Sequence, residues 1–320
     1  MARILVNDGI HVDGKDVLED AGFEVVVEKV PQEKLPEVLP GFDVIVVRSA
    51  TKVRKDLIDL CPNLKMIARG GVGLDNIDTD YARSKGIEVI NTPKSSSQSV
   101  AELTIGHMFS MARSVFDANR QMPTKGDTDF KALKKKYSKG IELKGKNLGI
   151  FGFGRIGQAV ASLGIGLGMN ILPVDLIYDE LRIDVDIFSM QGANLSVTVN
   201  TVSVEEMLAN SDFITFHVPF TSGGKALVGE TEFAKMKDGV RIVNAARGGV
   251  IDEKALLQAL ESGKVASAAL DVFEDEPTPD RAILEHPRIS LSPHIGASTV
   301  EAQRRIGLEL ADRIIEFFGI

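Results

Sequence analysis

The chain is poor in cysteine and in aromatic residues. Of 320 residues one is cysteine, none is tryptophan and three are tyrosine, with aromatics at 6%. A lone thiol excludes any internal disulfide and fits a reducing compartment, so a cytoplasmic location is expected. Cys61 precedes Pro62 at the end of a helix-like stretch and reads as a small buried apolar side chain rather than a nucleophile. Basic residues are in the minority, with 37 Lys and Arg against 45 Asp and Glu and a formal net charge of -8. That balance argues against nucleic acid or an anionic membrane as partner. Met1–Asn7 starts directly as a strand, without the apolar core of a signal peptide. Residues 156–174 carry no charge, which reaches the length of a membrane span. Gly164, Gly166, Gly168 and Pro173 interrupt that run, so helix, turn and buried strand explain it better. No solenoid repeat is visible, and no metal site is expected.

What is present is an ordinary globular composition, 44% hydrophobic and 26% charged, at a length suited to about two domains. Short β-branched runs alternate with helical segments from the start. Strands are expected at Ile4–Val6, Val25–Val27, Val44–Val47, Leu64–Ala68 and Ile87–Ile90. A long helix is expected over 98–120, with Ala101, Ile105, Met108, Phe109 and Ala112 on its buried face. Residues 123–146, with Lys131 and Lys134–Lys136, read as a solvated polar run. Alternation then restarts, with strands at 148–151, 170–174, 213–216, 240–244, 267–271 and 289–291. The last helix, 299–318, has no obvious place in the second half and is expected to return to the first. The predicted fold is α/β, with two Rossmann-like doubly wound parallel-sheet domains and a cofactor and substrate cleft between them. Residues 1–97 plus 298–320 form one domain, flavodoxin-like and substrate-binding, and 98–297 a nucleotide-binding Rossmann domain.

The most informative stretch is Asn147–Gly157. An apolar strand runs into Gly152, Gly154 and Gly157 at G-x-G-x-x-G spacing, and a helix follows. These glycines permit a tight turn, close approach of a pyrophosphate and close helix packing. The helix N-terminus offers unpaired N–H groups to phosphate. Asp175 ends the next strand, where an acid accepts from a ribose 2′-OH and disfavours a 2′-phosphate, so NAD rather than NADP is expected.

Ligands in such sheets sit beyond the carboxyl ends of strands. Three ends carry suitable chemistry. Val240–Asn244 leads into Arg247, between small residues and Gly248-Gly249; the strand near 267–271 leads into Asp271, Glu274, Asp275 and Glu276; Ile289–Ser292 leads into His294. Histidine can take a hydroxyl proton as hydride leaves an alcohol carbon, a carboxylate can hold its tautomer, and arginine can clamp a substrate carboxylate. Chemistry alone does not choose among Glu274, Asp275 and Glu276. Among the other histidines, His107 reads as core and His217 is flanked by Val218-Pro219.

Taken together, Gly152–Gly157, Asn244–Gly249, Ala269–Pro277 and Ser292–Thr299 resemble the D-isomer-specific 2-hydroxyacid dehydrogenase family. Val47–Lys52, Arg69–Asn76, Asn91–Pro93 and Ala101–Thr104 resemble its D-3-phosphoglycerate dehydrogenase branch. The resemblance implies Arg247, Glu276 and His294 as the catalytic set. It implies cofactor contacts from Gly152, Gly154, Arg155, Ile156, Gly157, Asp175, His217, Val218, Pro219, Ala245, Ala246, Arg247, Asp271, His294, Gly296, Ala297 and Val72. Val72 and Val218 replace hydroxyl residues often seen at those positions. Arg48, Ser49, Arg69, Gly70, Gly71, Arg247 and His294 are implied to meet the substrate, a small and phosphorylated 2-hydroxy acid. A homodimer is implied. The activity implied is NAD-dependent oxidation of 3-phospho-D-glycerate in serine synthesis, with reduction of hydroxypyruvate or glyoxylate as the alternative. A nucleotide-sensing, transcription-factor-binding scaffold is the alternative of another class. No regulatory domain is read beyond Ile320, so serine feedback is not expected.

Residues 180–202 match no family motif. Ile183, Val185 and Ile187 alternate with Asp184, Asp186 and Phe188, and Leu195, Val197 and Val199 alternate with polar residues. A β-hairpin is predicted, with strands near 182–188 and 195–201 and a turn at Gln191–Asn194, on the adenosine side of the cofactor.

Overall fold

The computed structural model describes residues 1–185, 195–219 and 225–320. The chain divides into two compact units, Met1–Ser99 with Ala297–Ile320, and Val100–Gly296.

In the first unit a parallel five-stranded sheet has the order β2-β1-β3-β4-β5. Its strands are β1 (Arg3–Val6), β2 (Glu24–Val27), β3 (Val44–Val47), β4 (Met66–Arg69) and β5 (Glu88–Asn91). Alternate residues point to opposite faces of a strand. Leu5, Ile45, Val47 and Ile67 therefore join one apolar layer with Leu35, Leu57 and Ile58. Ile4, Val6, Val44, Val46 and Met66 join another with Leu18 and Ile306, Leu310, Ala311 and Ile314 of the last helix, Val300–Phe318. That amphipathic helix buries its apolar stripe in a unit whose sheet ended some two hundred residues earlier in the chain.

In the second unit a parallel six-stranded sheet has the order β13-β12-β11-β10-β6-β7. It comprises β6 (Asn147–Phe151), β7 (Asn170–Val174), β10 (Phe213–Phe216), β11 (Val240–Asn244), β12 (Val265–Leu270) and β13 (Ile289–Leu291). Between β7 and β10 lies an antiparallel pair, β8 (Glu180–Val185) and β9 (Leu195–Asn200), with Ile183 opposite Val197. The pair starts two residues earlier than the sequence pattern placed it. The expected turn at Gln191–Asn194, with Ile187 and Phe188, lies outside the described residues. Ile183 and Val199 are buried in the second unit's own core, with Val160 and Ala161 of helix Arg155–Gly166. A lone hairpin is marginal in water, and this packing holds it.

Three expectations are corrected. The long helix stops at Ala112 and a new one begins at Val115, because Ser114 adopts a left-handed φ of 52° that a helix cannot pass through. Phe109 is 45% exposed rather than buried. It lies about 80° around the helix from Ala101, off the stripe formed by Ala101, Ile105, Met108 and Ala112. The polar run is not all solvated: Leu133, on helix Phe130–Lys136, and Leu143 are buried, and Lys136 is ion-paired to Asp117 at 2.7 Å. Among the described residues no helix is long and apolar enough to cross a membrane. Cys61 is buried, and burial pushes its thiol up to about 11.

Helix Val12–Asp20 and the last helix meet backbone to backbone. A Cβ on Gly14 would lie 2.4 Å from the carbonyl oxygen of Gly307. Gly14→Ala is therefore expected to destabilise the protein by about 1–3 kcal/mol, since the obstacle is rigid main chain. Gly106→Ala, in a helix with open space around the new methyl, should be neutral or stabilising by up to about 1 kcal/mol. Thermal or denaturant unfolding of both variants checks this, and equal effects would refute it.

Candidate active site

The glycine-rich turn joins β6 to helix Arg155–Gly166. Gly152 has φ 92°, and a Cβ there would lie 2.7 Å from the carbonyl oxygen of His217 after β10. Only glycine suits both the conformation and the approach. A Cβ on Gly157 would lie 2.2 Å from the Gly152 carbonyl oxygen, so helix and strand pack as closely as the spacing predicts. Gly154 is different. Nothing lies within 4 Å of its missing Cβ, and as a glycine it has no side chain to cap the helix, so the helix N-terminus stands open.

Beside this turn is a cavity of about 530 Å³, in the size range of ligand pockets. Gly152, Gly154, Asp175, His217, Val218 and Pro219 line it, with apolar walls from Val204, Leu227 and Val250. Those three walls were not singled out from the sequence. They come from separate segments and carry no motif. His217 Nδ1 is buried with no hydrogen-bond partner among the described residues, while Nε2 pairs with Thr215 Oγ1 at 3.1 Å. Burial pushes the His217 imidazole down to about 3, so it is neutral and a weak base. An open helix N-terminus, an apolar cleft and an unsatisfied imidazole fit a dinucleotide. Arg155 and Ile156 form the first turn of the helix.

Asp175 does more than face the cavity. Its Oδ2 accepts from Phe153 N at 2.6 Å and its Oδ1 from Ile177 N at 2.9 Å. The carboxylate thus ties the glycine turn to the end of β7 and keeps lone pairs for a ribose. Asp175→Ala is expected to weaken NAD binding and to narrow the NAD-over-NADP preference roughly tenfold, about one charge-assisted hydrogen bond. Dissociation constants for both nucleotides check this, and an unchanged ratio would contradict it.

The other candidates follow three adjacent strands. After β11, Asn244 Nδ2 donates to the Arg247 carbonyl at 2.9 Å and Oδ1 accepts from Ala246 N at 3.1 Å, shaping the Ala245–Gly249 turn. Arg247 Nη1 donates to the Ala246 carbonyl at 2.7 Å. After β12, Asp271 is 1% exposed and accepts Ser292 Oγ–H, Ile295 N–H and Gly296 N–H at 2.6, 2.9 and 2.8 Å. After β13, His294 adopts a left-handed φ of 54°, its N–H bonded to the Ser292 carbonyl at 3.1 Å. Its Nδ1 lies 2.8 Å from Glu276 Oε2, and Glu276 Oε1 accepts from Phe273 N at 3.0 Å.

The structure therefore separates the three acids. Glu274 and Glu253 exchange backbone and carboxylate contacts at 3.0 and 2.9 Å, which ties Glu274 to helix Glu253–Glu261. Burial raises the pKa of Glu253, against the Glu274 N–H and with the Glu274 and Asp275 charges adding to it. Of the three acids it is Glu276 that pairs with His294.

The substrate candidates of the first unit follow β3 and β4. Asp8, after β1, was not singled out, yet it organises them. Its Oδ2 accepts from the backbone N of Arg48 and Thr51 at 2.7 and 3.1 Å, and its Oδ1 from Thr51 Oγ1 at 2.8 Å and from Lys29. Burial opposes its ionisation, but Lys29, the Arg48 N–H and Thr51 prevail and hold its carboxyl below the usual range. Asn76 Nδ2 clasps the same loop through the Arg48 and Thr51 carbonyls at 2.8 and 2.6 Å. A cavity of about 600 Å³ lies here, lined by Asp8, Lys29, Arg48 and Ser49. Gly70 and Gly71 continue from Arg69, and Gly71 N donates to Thr92 Oγ1 at 2.8 Å. Val72 follows, 37% exposed. Ala297, at the unit boundary, accepts from Gln303 Nε2 at 2.7 Å.

Comparison with known proteins bears on this arrangement. Residues 105–296 match the NAD-binding domain of D-isomer specific 2-hydroxyacid dehydrogenases. A hydroxypyruvate reductase of Thermotoga maritima is 44% identical, covering 99% of this chain and 99% of its own length. A D-3-phosphoglycerate dehydrogenase of Methanocaldococcus jannaschii is also 44% identical over 98% of this chain, which spans 57% of that relative's length. The NAD+-bound 3-phosphoglycerate dehydrogenase of Entamoeba histolytica has a TM-score of 0.77 at 29% identity, covering 99% of this chain and 95% of that one. With a family match over more than half its residues and a relative at 44% identity across its length, the chain belongs to the D-isomer-specific 2-hydroxyacid dehydrogenases, with NAD as cofactor.

Proposed function

We propose that the enzyme oxidises 3-phospho-D-glycerate to 3-phosphohydroxypyruvate, as in serine synthesis, with Arg247, Glu276 and His294 as its catalytic residues. The observation that carries the chemistry is the Glu276–His294 pair at 2.8 Å, with the second carboxylate oxygen fixed by the Phe273 N–H. A carboxylate accepts only, so Nδ1 is the protonated nitrogen and Nε2 is left bare. Nε2 takes the hydroxyl proton of the 2-hydroxy acid during oxidation and returns it during reduction. Glu276 stabilises the imidazolium formed in between. When bound, oxidised NAD would supply the hydride acceptor, and its reduced form the donor in the reverse direction. Arg247 holds the substrate carboxylate through two parallel hydrogen bonds.

The phosphate reading rests on Arg48 and Arg69 in the first unit. Arg48 lines a cavity with Ser49 and makes no ion pair among the described residues. The Lys134–Lys136 run supports it less, since Lys136 is held by Asp117. A second reading, reduction of hydroxypyruvate or glyoxylate, is favoured by the 44% identity to the Thermotoga maritima hydroxypyruvate reductase.

His294→Ala is expected to lower kcat by about 10²–10⁴, the usual worth of a general acid–base group. Glu276→Gln should lose at least about tenfold, because an amide neither stabilises the imidazolium nor enforces the tautomer. Stopped-flow or steady-state turnover checks both, and a fully active His294→Ala enzyme would remove the mechanism. Substrate choice is read from kcat/KM in both directions with 3-phospho-D-glycerate, 3-phosphohydroxypyruvate, hydroxypyruvate and glyoxylate. The phosphorylated pair should lead, and far faster turnover of hydroxypyruvate would replace the first reading by the second.

A further inference from the structure

Helix Ser97–Ala112 buries Ala101, Ile105, Met108 and Met111 in the second unit's core. His107 sits among them at 7% exposure, and the mechanism above does not use it. A buried imidazole nitrogen left without a partner is costly. Both partners here are serine hydroxyls from the end of β13. Nδ1 lies 3.1 Å from Ser290 Oγ and Nε2 lies 2.9 Å from Ser292 Oγ. Ser290 is 4% exposed and Ser292 9%. Ser292 Oγ reaches Asp271 Oδ1 at 2.6 Å.

The donors in this chain run in one direction. The Asp271 carboxylate accepts the Ile295 and Gly296 N–H groups, and the Ser292 proton also points to it. With its own proton given to Asp271, Ser292 Oγ accepts from His107 Nε2–H. His107 Nδ1 is then bare and takes the proton of Ser290. Burial lowers the His107 pKa although the Asp271 charge opposes this, which favours the neutral ring that this direction uses.

We propose that His107 is a positioning residue for the dehydrogenase reaction, orienting the Asp271 carboxylate through Ser292 so that it pins the Ile295 and Gly296 amides and the backbone carrying His294. The proposal rests on His294 as the proton-transfer group. His294 is in a left-handed conformation that an L residue keeps only when its surroundings enforce it. The His107 donor enforces it indirectly. It occupies the acceptor side of Ser292 and leaves that hydroxyl's proton directed at Asp271. An apolar side chain at 107 frees the Ser292 hydroxyl to rotate and leaves Ser290 without its acceptor. A displacement of the proton-transfer group by about 1 Å can slow turnover on the order of 10²-fold.

The test compares His107→Leu, His107→Gln, Ser292→Ala, the double variant His107→Leu/Ser292→Ala and His294→Asn, each with NAD and the 2-hydroxy acid that the parent turns over best. His107→Leu should lower kcat roughly tenfold or more with KM for the acid little changed, since the loss is one of alignment rather than binding. His107→Gln, whose amide offers one donor and one acceptor, should recover most of that loss. The double variant should be no slower than Ser292→Ala, because both single changes break one link. A kcat for His107→Leu within twofold of the parent overturns the proposal. So do equal losses in the Leu and Gln variants, which mark a packing defect, and losses that multiply in the double variant. Should His107→Leu fail to fold, Ser292→Ala breaks the same link from the other side, and parent-like turnover there is equally decisive. Retained activity in His294→Asn removes the reading of His294 and the proposal with it. An inactive His294→Asn beside a parent-like His107→Leu overturns the proposal alone.

Discussion

A buried carboxylate that collects three hydrogen bonds is the constraint on which the histidine loop depends. Asp271, 1% exposed, gathers the Ser292 hydroxyl and the Ile295 and Gly296 amides onto two oxygens. An isolated charge at that depth would be very costly, so the three donors and the charge require one another. Gly296 belongs to this arrangement because a Cβ there would lie 3.2 Å from Asp271 Oδ2. Release of the amides would let His294 leave its left-handed φ and separate from Glu276. The position of the His294 imidazole is therefore tied to a group one strand away from it.

The same device recurs at other strand ends. Asp8 follows β1 and gathers the Arg48–Thr51 loop, and Asp175 follows β7 and ties down the Gly152–Gly154 turn through Phe153 N. In a parallel sheet the residues just past a strand's carboxyl end face loops whose backbone N–H groups lack strand partners. A short carboxylate there satisfies several at once. Both sheets also change winding direction beside their first strand, between β1 and β3 and between β6 and β10. The two described cavities open at those reversals, where connections diverge to opposite faces and leave a crevice.

Much of this was legible from one sequence because strong local signals agreed. The parallel strands are short apolar runs, the inner ones buried on both faces and the edge strands partly exposed, so their positions emerged within about two residues. The glycine fingerprint lay in its required strand–turn–helix setting. The hairpin was visible as period-two alternation. Failures fell where the local signal was weak. A break at Ser114 rests on one backbone torsion, and the exposure of Phe109 on an angular offset of one helical position. The role of Asp8 rests on contacts with residues about forty positions away.

What the sequence determined by itself was the kind of chemistry: two α/β halves, a nucleotide turn, and an arginine, several acids and a histidine past successive strands. Periodicity, glycine spacing and side-chain pKa are local properties, and they survive reading in one dimension. Which acid serves the histidine was decided only by tertiary structure. Glu274 and Glu276 are two residues apart and chemically equivalent. One is drawn to Glu253 and the other to His294 because the backbone between them aims their carboxylates at different elements. The partnership of His107 with Ser290, Ser292 and Asp271 spans more than 160 positions, and only the packing of one helix against the ends of two strands creates it.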